Sequence, residues 1–535
     1  MKPHYKPVIK YLLITGFYFL SLPFFVQAQN NYYISPKGNN TNNGVSKESA
    51  WQSLEKLNTT SFKPGDSILL EGNSVFNGTL VISSSGTTTQ YITFSSYGSG
   101  KAIIDAGDND GIRAFNISNV QVSNITVRGN GVARNKGNGI HFFSDDTLAS
   151  PQNIIIGKCD AIGFHNQGIV IGCGEDDRIK GYKNVRITHC TASENGQAGI
   201  ASYGSYTSFQ NSNFYIAYCK VFNNRGIPGK TENHSGNGIV MGEVDSLLIE
   251  HCEAFENGAD NSSEAGGPVG IWVWMCRNAI IQHCISHGNH AGLTKDGGGF
   301  DIDGGSSNCI LQYNYSYNNE GAGYLLAEYG ALFPFTNNMV RFNISENDGR
   351  KNNYGGIGIW GADSNYQVTN SYVYNNTIYS DDKNIINGTP AAIALMGTHF
   401  KNVVIVNNIF ALKGRAYFIN ADTLINKSSL FLLHNNYFSY SNEYHFKYGN
   451  TTYKDVKTWL KANKEQELSG PHPAFLKIDP LFEVNNKQFK LQMASSLLQN
   501  KFAVFTVVEN GKIDKDYCNN ILPMDGLIIP GACIK

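Results

Sequence analysis

The chain has 535 residues, a formal net charge of −1 and only 16% charged side chains. Its 56 glycines, 30 phenylalanines and 29 tyrosines favour β-structure over helical bundles. A nearly neutral chain has no electrostatic basis for binding nucleic acid or an anionic membrane surface, so we expect neither as a partner.

Residues 1–28 have the pattern of a secretory signal peptide. Three lysines precede the apolar run YLLITGFYFLSLPFFV, and the small-residue spacing VQA ends at Ala28. The apolar run is long for a signal peptide, so an uncleaved membrane anchor is the alternative. No later stretch has the roughly 20 apolar residues that a membrane-spanning helix needs. We therefore expect a secreted or periplasmic chain that begins near Gln29.

A repeat of about 30 residues runs through residues 81–445. One position of the repeat holds a cysteine in five successive units and an asparagine in the next five. The spacings are 28 to 35 residues (Asn124, then Cys159, Cys190, Cys219, Cys252, Cys284, Asn314, Asn343, Asn376, Asn408 and Asn436). Short alternating strands such as GIVIG and GIWVW recur in every unit, without a helical period. Such units stack as coils of a parallel β-solenoid.

We predict one all-β, right-handed β-helix of about eleven coils, because parallel crossover connections are almost always right-handed. On these repeats the chain resembles the pectate-lyase-like superfamily of β-helix proteins. The resemblance implies an exported, carbohydrate-active protein. The fold itself does not specify the activity, since it hosts lyases, hydrolases, epimerases and adhesins.

Both ends of the β-helix are expected to be capped, because a bare last coil exposes backbone edges and apolar core. Residues 29–80 resemble the N-terminal segment of many exported β-helix proteins, in which a short helix, here near Trp51–Leu57, covers the open end. Residues 446–535 are expected to form a C-terminal cap or tail, with a helix over residues 451–466.

The ten cysteines are expected to have two different roles. The five in the repeat would stack about 4.8 Å apart with parallel side chains, a geometry that does not suit disulfides, so we predict buried thiols. Cys518 and Cys533 near the C terminus are the better disulfide pair in an exported protein. No cysteine or histidine spacing indicates a zinc site.

Aligning the strands that open with glycine separates two sets of side chains, because alternate residues of a strand point to opposite sides. One set is apolar and is expected to face the core (Ile271, Val273, Phe300, Ile302, Tyr324, Leu326, Ile357 and Ile359). The other set forms an outward face with four large aromatic residues (Trp272, Trp274, Trp360 and Tyr203). The small residues Gly172, Gly242, Ala327 and Gly358 on this face are expected to leave a trough. Sugar rings stack on exposed aromatic rings, so we predict a carbohydrate-binding groove.

The strand GFDID adds two carboxylates to the middle of the outward face. Asp301 and Asp303 are about 7 Å apart by strand rise, and Glu328 is expected one position beyond Asp303 on the next coil. Neighbouring carboxylates raise one another's pKa, so one can donate a proton while the other acts as nucleophile or base. Cleavage of a glycosidic bond requires such a pair. We predict Asp301, Asp303 and Glu328 as catalytic candidates, and Glu243, Lys295 and Asp296 as substrate-binding residues.

The predicted function is a secreted, monomeric glycoside hydrolase without a cofactor. One alternative is a polysaccharide lyase that removes a proton from a uronate polymer. Lys295, Arg277 or His290 would then be the base, and the acidic cluster would hold Ca²⁺. A second alternative is a secreted carbohydrate-binding protein without activity. The outward face has few basic residues, which favours the hydrolase over the lyase.

Simpler interpretations exist for several of these residues. Asp296 precedes three glycines, and aspartate in such a sequence often serves only the turn. Glu328 could be a solvated turn residue. Trp272 and Trp274 could pack under a loop instead of binding a sugar.

Overall fold

The computed structural model describes residues 29–362, 365–426, 428–463, 475–485, 488–492, 494–499, 502–503, 515–522 and 527–533. The predicted signal peptide lies outside the described residues. Within them, no helix is long and apolar enough to cross a membrane.

The chain forms a right-handed parallel β-solenoid of about 12 turns, as the repeat predicts. Each turn contributes one strand to each of three sheets of 14 strands. All pairs in these sheets are parallel except the last pair of one sheet, in which Phe446–Tyr448 and Thr451–Tyr453 run antiparallel.

We name the sheets A, B and C. Sheet A consists of Asn31–Ile34, Ser67–Glu71, Ile92–Tyr97, Val120–Ser123, Gln152–Gly157, Lys183–Thr188, Asn211–Ala217, Val244–Glu250, Arg277–Gln282, Ile310–Gln312, Met339–Arg341, Tyr372–Tyr374, Val403–Val406 and Leu430–Leu433. Sheet B consists of Val75–Asn77, Ala102–Gly107, Ile125–Gly129, Asp160–Ile162, Thr191–Ser193, Lys220–Phe222, Glu253–Phe255, Ile285–His287, Tyr315–Tyr317, Ile344–Glu346, Thr377–Ser380, Ile409–Leu412, Asn435–Ser439 and Phe475–Leu476.

Sheet C contains the strands that open with glycine. It consists of Leu80–Ile82, Ile112–Phe115, Ile140–Ser144, Gln167–Cys173, Ala198–Tyr203, Asn237–Gly242, Val269–Trp274, Gly298–Asp303, Tyr324–Glu328, Gly355–Gly361, Ala391–Gly397, Tyr417–Ala421, Phe446–Tyr448 and Thr451–Tyr453. Within the described residues, three further strand pairs lie outside the sheets: Val368–Thr369 with Phe400–Lys401, Phe482–Asn485 with Gln488–Leu491, and Phe502–Ala503 with Leu527–Ile528.

The core of the solenoid is the predicted apolar set. All eight of those side chains are fully buried. The strand alternation inferred from the sequence is therefore confirmed for the coils around the predicted catalytic residues Asp301 and Asp303.

The turn between sheets A and B holds the predicted ladder of cysteines and asparagines. The five cysteines are buried free thiols. From Asn314 onward each amide donates to the side-chain oxygen of the next coil at 2.9 to 3.1 Å, ending on Asn435. The prediction of Asn436 is thus wrong by one position, because His434 takes the left-handed conformation that precedes the ladder residue in each coil. Asn124 is likewise left-handed, and Ile125 is the buried residue of its coil.

A second polar ladder, which the sequence did not reveal, lies in the turn between sheets B and C. Five buried asparagines and one aspartate follow one another from coil to coil (Asn195, Asn224, Asn257, Asn289, Asn319 and Asp348). This turn leads directly into sheet C. The ladder therefore stabilises the turns from which the loops over the outward face begin.

Short helices lie at both ends of the solenoid. The helix Leu54–Asn58 buries two leucines at the N-terminal end, close to the predicted position. The helix Val456–Asn463 packs Trp459 on Phe446 of the last coil, with ring centroids 4.8 Å apart. A 3₁₀ helix spans Ser496–Gln499. The predicted disulfide between Cys518 and Cys533 is present.

Candidate active site

A cavity of about 870 Å³ lies over the outward face of sheet C. Its floor is formed by strands of sheet C from Ala198–Tyr203 to Ala391–Gly397, with Val269–Trp274, Gly298–Asp303 and Tyr324–Glu328 in the middle. Turns that precede the strands form one wall, with His234, Lys295, Asp296 and Tyr354 among its residues. Turns that follow the strands form the other wall, including Tyr206, Tyr329 and Leu332.

The register of the strands brings the predicted tryptophans beside the predicted carboxylates. Trp272 pairs with Asp301 and Trp274 pairs with Asp303. All four side chains line the cavity, as do Tyr203 and Trp360. The alignment made from the sequence therefore identified the floor of the cavity.

Asp301 is almost fully buried, with 4% of its surface exposed. Its Oδ1 has no hydrogen-bond partner in the described part of the chain. Burial, reinforced by the charge of Asp303, raises the pKa of the Asp301 carboxyl well above its ordinary value. Burial without a hydrogen-bond partner for Oδ1 therefore disfavours the ionised form of Asp301.

Asp303 is half-buried and faces the same cavity. Burial raises the pKa of its carboxyl well above the ordinary value; the backbone N–H of Gly304 opposes this, and the charges of Asp296 and Glu328 add to it. A carboxyl whose pKa is raised by burial and which still reaches the cavity has the properties of a general acid.

Asp296 lies in the loop between sheets B and C and also lines the cavity. Its backbone is left-handed, with φ of 58°, so the turn interpretation is correct for its main chain. Its side chain nevertheless points to the site. Oδ2 accepts a hydrogen bond from the Gly267 N–H at 2.7 Å, and Oδ1 accepts one from the Tyr354 hydroxyl. Two donors thus hold the carboxylate in one orientation.

Glu328 lies outside the cavity lining, contrary to the position expected for a catalytic residue. It is 1% exposed, and its carboxylate accepts hydrogen bonds from the backbone N–H groups of Gly305, Gly330 and Ala331 at 2.6 to 3.0 Å. The reason is strand alternation: Glu328 has the same parity as the core residue Leu326, so it points inward. It stabilises the turn that carries the cavity residue Tyr329.

Glu243 also points inward at the end of its strand, and it does not line the cavity. Its Oε2 accepts the N–H of Tyr206 at 2.9 Å, while Oε1 is buried without a partner among the described residues. Burial raises the pKa of Glu243 to about 7. Glu243 therefore supports the turn of Tyr206 and does not contact the space where a ligand would bind.

Aromatic rings fill the predicted trough at Gly172 and Gly242, whereas Ala327 lines the open cavity. A side chain at Gly172 or Gly242 would overlap the ring of Tyr203 or Trp274, respectively, because each ring lies flat over the glycine of the preceding coil. Tyr206 stacks on Trp274 at a centroid distance of 5.3 Å.

Trp272 and Trp360 are packed differently from each other. Trp272 is 5% exposed, its Nε1 donates to Asn237 at 3.1 Å, and its ring contacts His234. Trp360 is half-buried and packs with Met396. Packing against neighbouring groups thus accounts for most of the surface of Trp272, whereas Trp360 keeps part of its surface exposed at the cavity.

The basic residues considered for a lyase are dispersed. Lys295 lines the cavity and is the one lysine or arginine among the described lining residues. Arg277 lies on sheet A and forms an ion pair with Asp245 at 2.9 Å, whereas His290 is hydrogen-bonded between Glu256 and Glu320. Among the described residues, no group of three or more His, Cys, Asp or Glu side chains is arranged to hold a metal ion.

Comparisons with known proteins agree with the fold. A family model described as "Right handed beta helix region" matches residues 173–378. A lacto-N-biosidase of Bifidobacterium longum subsp. longum is 25% identical over 65% of this chain. The match spans only 27% of that protein's length.

Solved structures include similar β-helices. The GH136 lacto-N-biosidase from Eubacterium ramulus matches with a TM-score of 0.55 and 19% identity, over 69% of this chain and 68% of that one. A second structure of that enzyme gives a TM-score of 0.54. At this level of identity the similarity shows a shared β-helix fold.

Proposed function

We propose that this protein is a glycoside hydrolase that acts on an oligosaccharide. The observation that carries the proposal is the set of three carboxyl groups, Asp296, Asp301 and Asp303, in one cavity lined with aromatic rings. Glycosidic bond cleavage needs one protonated and one ionised carboxyl group beside the bond. The identity to a lacto-N-biosidase supports the same class of reaction.

Asp303 is the proton donor in this proposal. Its pKa is raised by burial, and its half-buried side chain can reach the glycosidic oxygen of a bound sugar. Proton donation by a positioned carboxylic acid contributes typically about 10²–10⁴ to the rate.

Asp296 is the second carboxylate, acting as nucleophile or as the base that activates water. The Tyr354 hydroxyl and the Gly267 N–H orient its two oxygens, and the loop position places it beside the floor strand that carries Asp303. Asp301 is less suited to this role, because its burial and the missing partner of its Oδ1 disfavour the ionised form and raise its pKa. As a neutral group, Asp301 can instead donate a hydrogen bond within the cavity.

The substrate class follows from the charge of the cavity. The described lining residues include four aspartates and a single lysine or arginine, so the cavity has no excess of positive charge to hold a polyuronate, and a neutral oligosaccharide is the proposed substrate. Oligosaccharides that carry a lacto-N-biose unit are the first to test, because the relatives are lacto-N-biosidases.

The test is a substrate screen with the purified protein. It is incubated with neutral oligosaccharides, including lacto-N-biosides, and with polyuronates, and both new reducing ends and ultraviolet absorbance of unsaturated uronates are recorded. Reducing ends without that absorbance support the hydrolase. Unsaturated products would instead support the lyase, and binding without any product would support a carbohydrate-binding protein. Asp303→Asn is the control for a contaminating activity.

We further propose that the protein is exported and that Gln29 is the first residue of the mature chain. N-terminal sequencing of protein recovered outside the cytoplasm tests this. An intact N terminus in the exported fraction would contradict cleavage at Ala28.

A further inference from the structure

The loop that carries Asp296 is held by a segment from two coils further along the solenoid. Lys351 Nζ donates to the Gly292 carbonyl at 2.7 Å, and Asn352 Nδ2 donates to the Thr294 carbonyl. Tyr354 then donates to Asp296 itself. The contacts follow the same order along both segments. We call residues 351–354 the clamp and residues 291–297 the loop.

The clamp can reach the loop because the turn between them is small. The intervening coil has the sequence Glu320-Gly-Ala-Gly at this point. A side chain at Gly321 would lie 2.4 Å from the Asp296 carbonyl, so this position requires glycine for the close approach.

Glu320 is the one large side chain of that turn, and it connects the clamp to the start of the loop. Its Oε2 accepts the Ala291 N–H at 2.8 Å and lies 3.5 Å from Lys351 Nζ. Its Oε1 contacts His290 at 3.0 Å. The Lys351 and Glu320 side chains are only 15% and 12% exposed, so this ion pair is shielded from water and holds a defined geometry.

Apolar burial does little to fix the loop between its two ends. Leu293 is 80% exposed, and Lys295 is exposed as well. On the other side, the loop is held mainly through its backbone, for example from the Leu293 N–H to the Asn261 carbonyl at 3.0 Å. The polar contacts from the clamp therefore hold the middle of the loop from one side, opposite the contacts made by Asn261 and Ser263.

We propose that Lys351 is a positioning residue for hydrolysis: through the Gly292 carbonyl and Glu320 it sets the location of the loop and hence of the Asp296 carboxylate. Lys351 is not among the residues that line the cavity. The inference rests on the proposed function, in which Asp296 is the second carboxylate. Displacing a reacting group by about 1 Å can cost about 10²-fold in rate.

The test compares Lys351→Met with Lys220→Met. Lys220 also forms an ion pair, 3.0 Å from Glu253, but it is more exposed and lies on sheet B, away from the cavity. With an oligosaccharide that the wild-type protein hydrolyses, Lys351→Met should lower kcat by about 10- to 100-fold with KM changed less than about threefold, because the loop moves and the cavity floor does not. Lys351→Arg should recover most of kcat, and Lys220→Met should match the wild type.

Two further measurements keep the inference falsifiable if Lys351→Met is unstable. Asn352→Ala removes the adjacent contact without touching the ion pair and should lower kcat in the same direction. Amide hydrogen exchange of the loop should speed up in Lys351→Met and in Asn352→Ala but not in Lys220→Met. Unchanged kcat and unchanged loop exchange in Asn352→Ala and in folded Lys351→Met would overturn the inference while leaving the proposed function intact. A wild-type protein without glycosidase activity would overturn both.

Discussion

Replacing Asp301 with asparagine should stabilise the protein at neutral pH. The carboxyl is 4% exposed, and its Oδ1 lacks a partner in the described part of the chain. Burial and the charge of Asp303 raise its pKa in the folded protein. In the unfolded chain the same group titrates near an ordinary value of about 3.9. Above that pH the unfolded state has lost a proton that the folded state still holds.

The sign and size of the effect follow from this difference in bound protons. Because the unfolded state binds fewer protons, the free energy of unfolding falls as the pH rises from about 4 toward the raised pKa. A single group contributes a slope of at most about 1.4 kcal/mol per pH unit. The amide introduced by Asp301→Asn cannot ionise, so the variant lacks this loss. Its advantage over the wild type should be smallest near pH 4 and increase with pH up to the raised pKa of Asp301.

Urea unfolding of both proteins between about pH 4 and pH 8 measures the effect. Asp245→Asn is the matched control with the opposite sign. Although burial raises the pKa of Asp245, hydrogen bonds from Arg277 and Asn278 leave it below its ordinary value. Losing that carboxylate should therefore destabilise the protein above about pH 4. An Asp301→Asn variant that is less stable than the wild type at pH 7, or equally pH-dependent, would refute the description of Asp301 as a buried carboxyl with a raised pKa.

Three other predictions address the site, the ladder and the thiols. Asp303→Asn and Asp296→Asn should each reduce turnover by about 10²-fold or more. Asp301→Asn should stay within about tenfold of the wild type, because it preserves the neutral charge. Kinetic measurements on one oligosaccharide compare the three variants, and equal losses would contradict the assigned roles. Asn343→Ala should lower the free energy of unfolding by about 2–5 kcal/mol, because it removes the hydrogen bonds that the amide donates to the Leu311 carbonyl at 2.8 Å and to the next ladder amide at 3.1 Å, and it leaves a buried backbone N–H unpaired. In the same urea titration, Asn109→Ala at an exposed position should lower it by less than about 0.5 kcal/mol. Alkylation in denaturant without reductant should modify eight cysteines, and mass spectrometry that finds fewer would reveal a disulfide within the repeat.

The fold and the floor of the site follow from two periodicities in the sequence. The repeat of about 30 residues places one strand of each coil in sheet C, and the alternation within each strand separates Phe300 from Asp301 and Ile302 from Asp303. Both patterns are local and regular, so they can be read without knowing the loops. This is why the pairing of Trp274 with Asp303 could be predicted.

The same alternation explains the residues that were misplaced. Glu243 and Glu328 stand at strand ends, one position beyond the outward residues Gly242 and Ala327. That single step reverses the direction of the side chain, so both carboxylates turn inward and bind backbone N–H groups of the turns. Their acidic character alone gave no indication of this direction.

The walls of the cavity could not be predicted, because turns carry no periodicity. The hydrogen bond between Tyr354 and Asp296 joins residues 58 positions apart in two different loops. Its formation depends on the small turn at Gly321, whose role is visible only when three successive coils are stacked. The flat packing of Tyr203 over Gly172 likewise depends on which way the ring leans between coils.

The most direct test of the proposed hydrolysis is mass spectrometry of products formed in water enriched in heavy oxygen. The hydrolase mechanism predicts one heavy oxygen atom at each new reducing end, with the label absent when Asp303→Asn replaces the wild type. Products that contain a new double bond and no heavy oxygen would contradict hydrolysis and indicate elimination. Intact oligosaccharide after prolonged incubation with the whole panel would contradict the assignment of Asp296 and Asp303 as a catalytic pair.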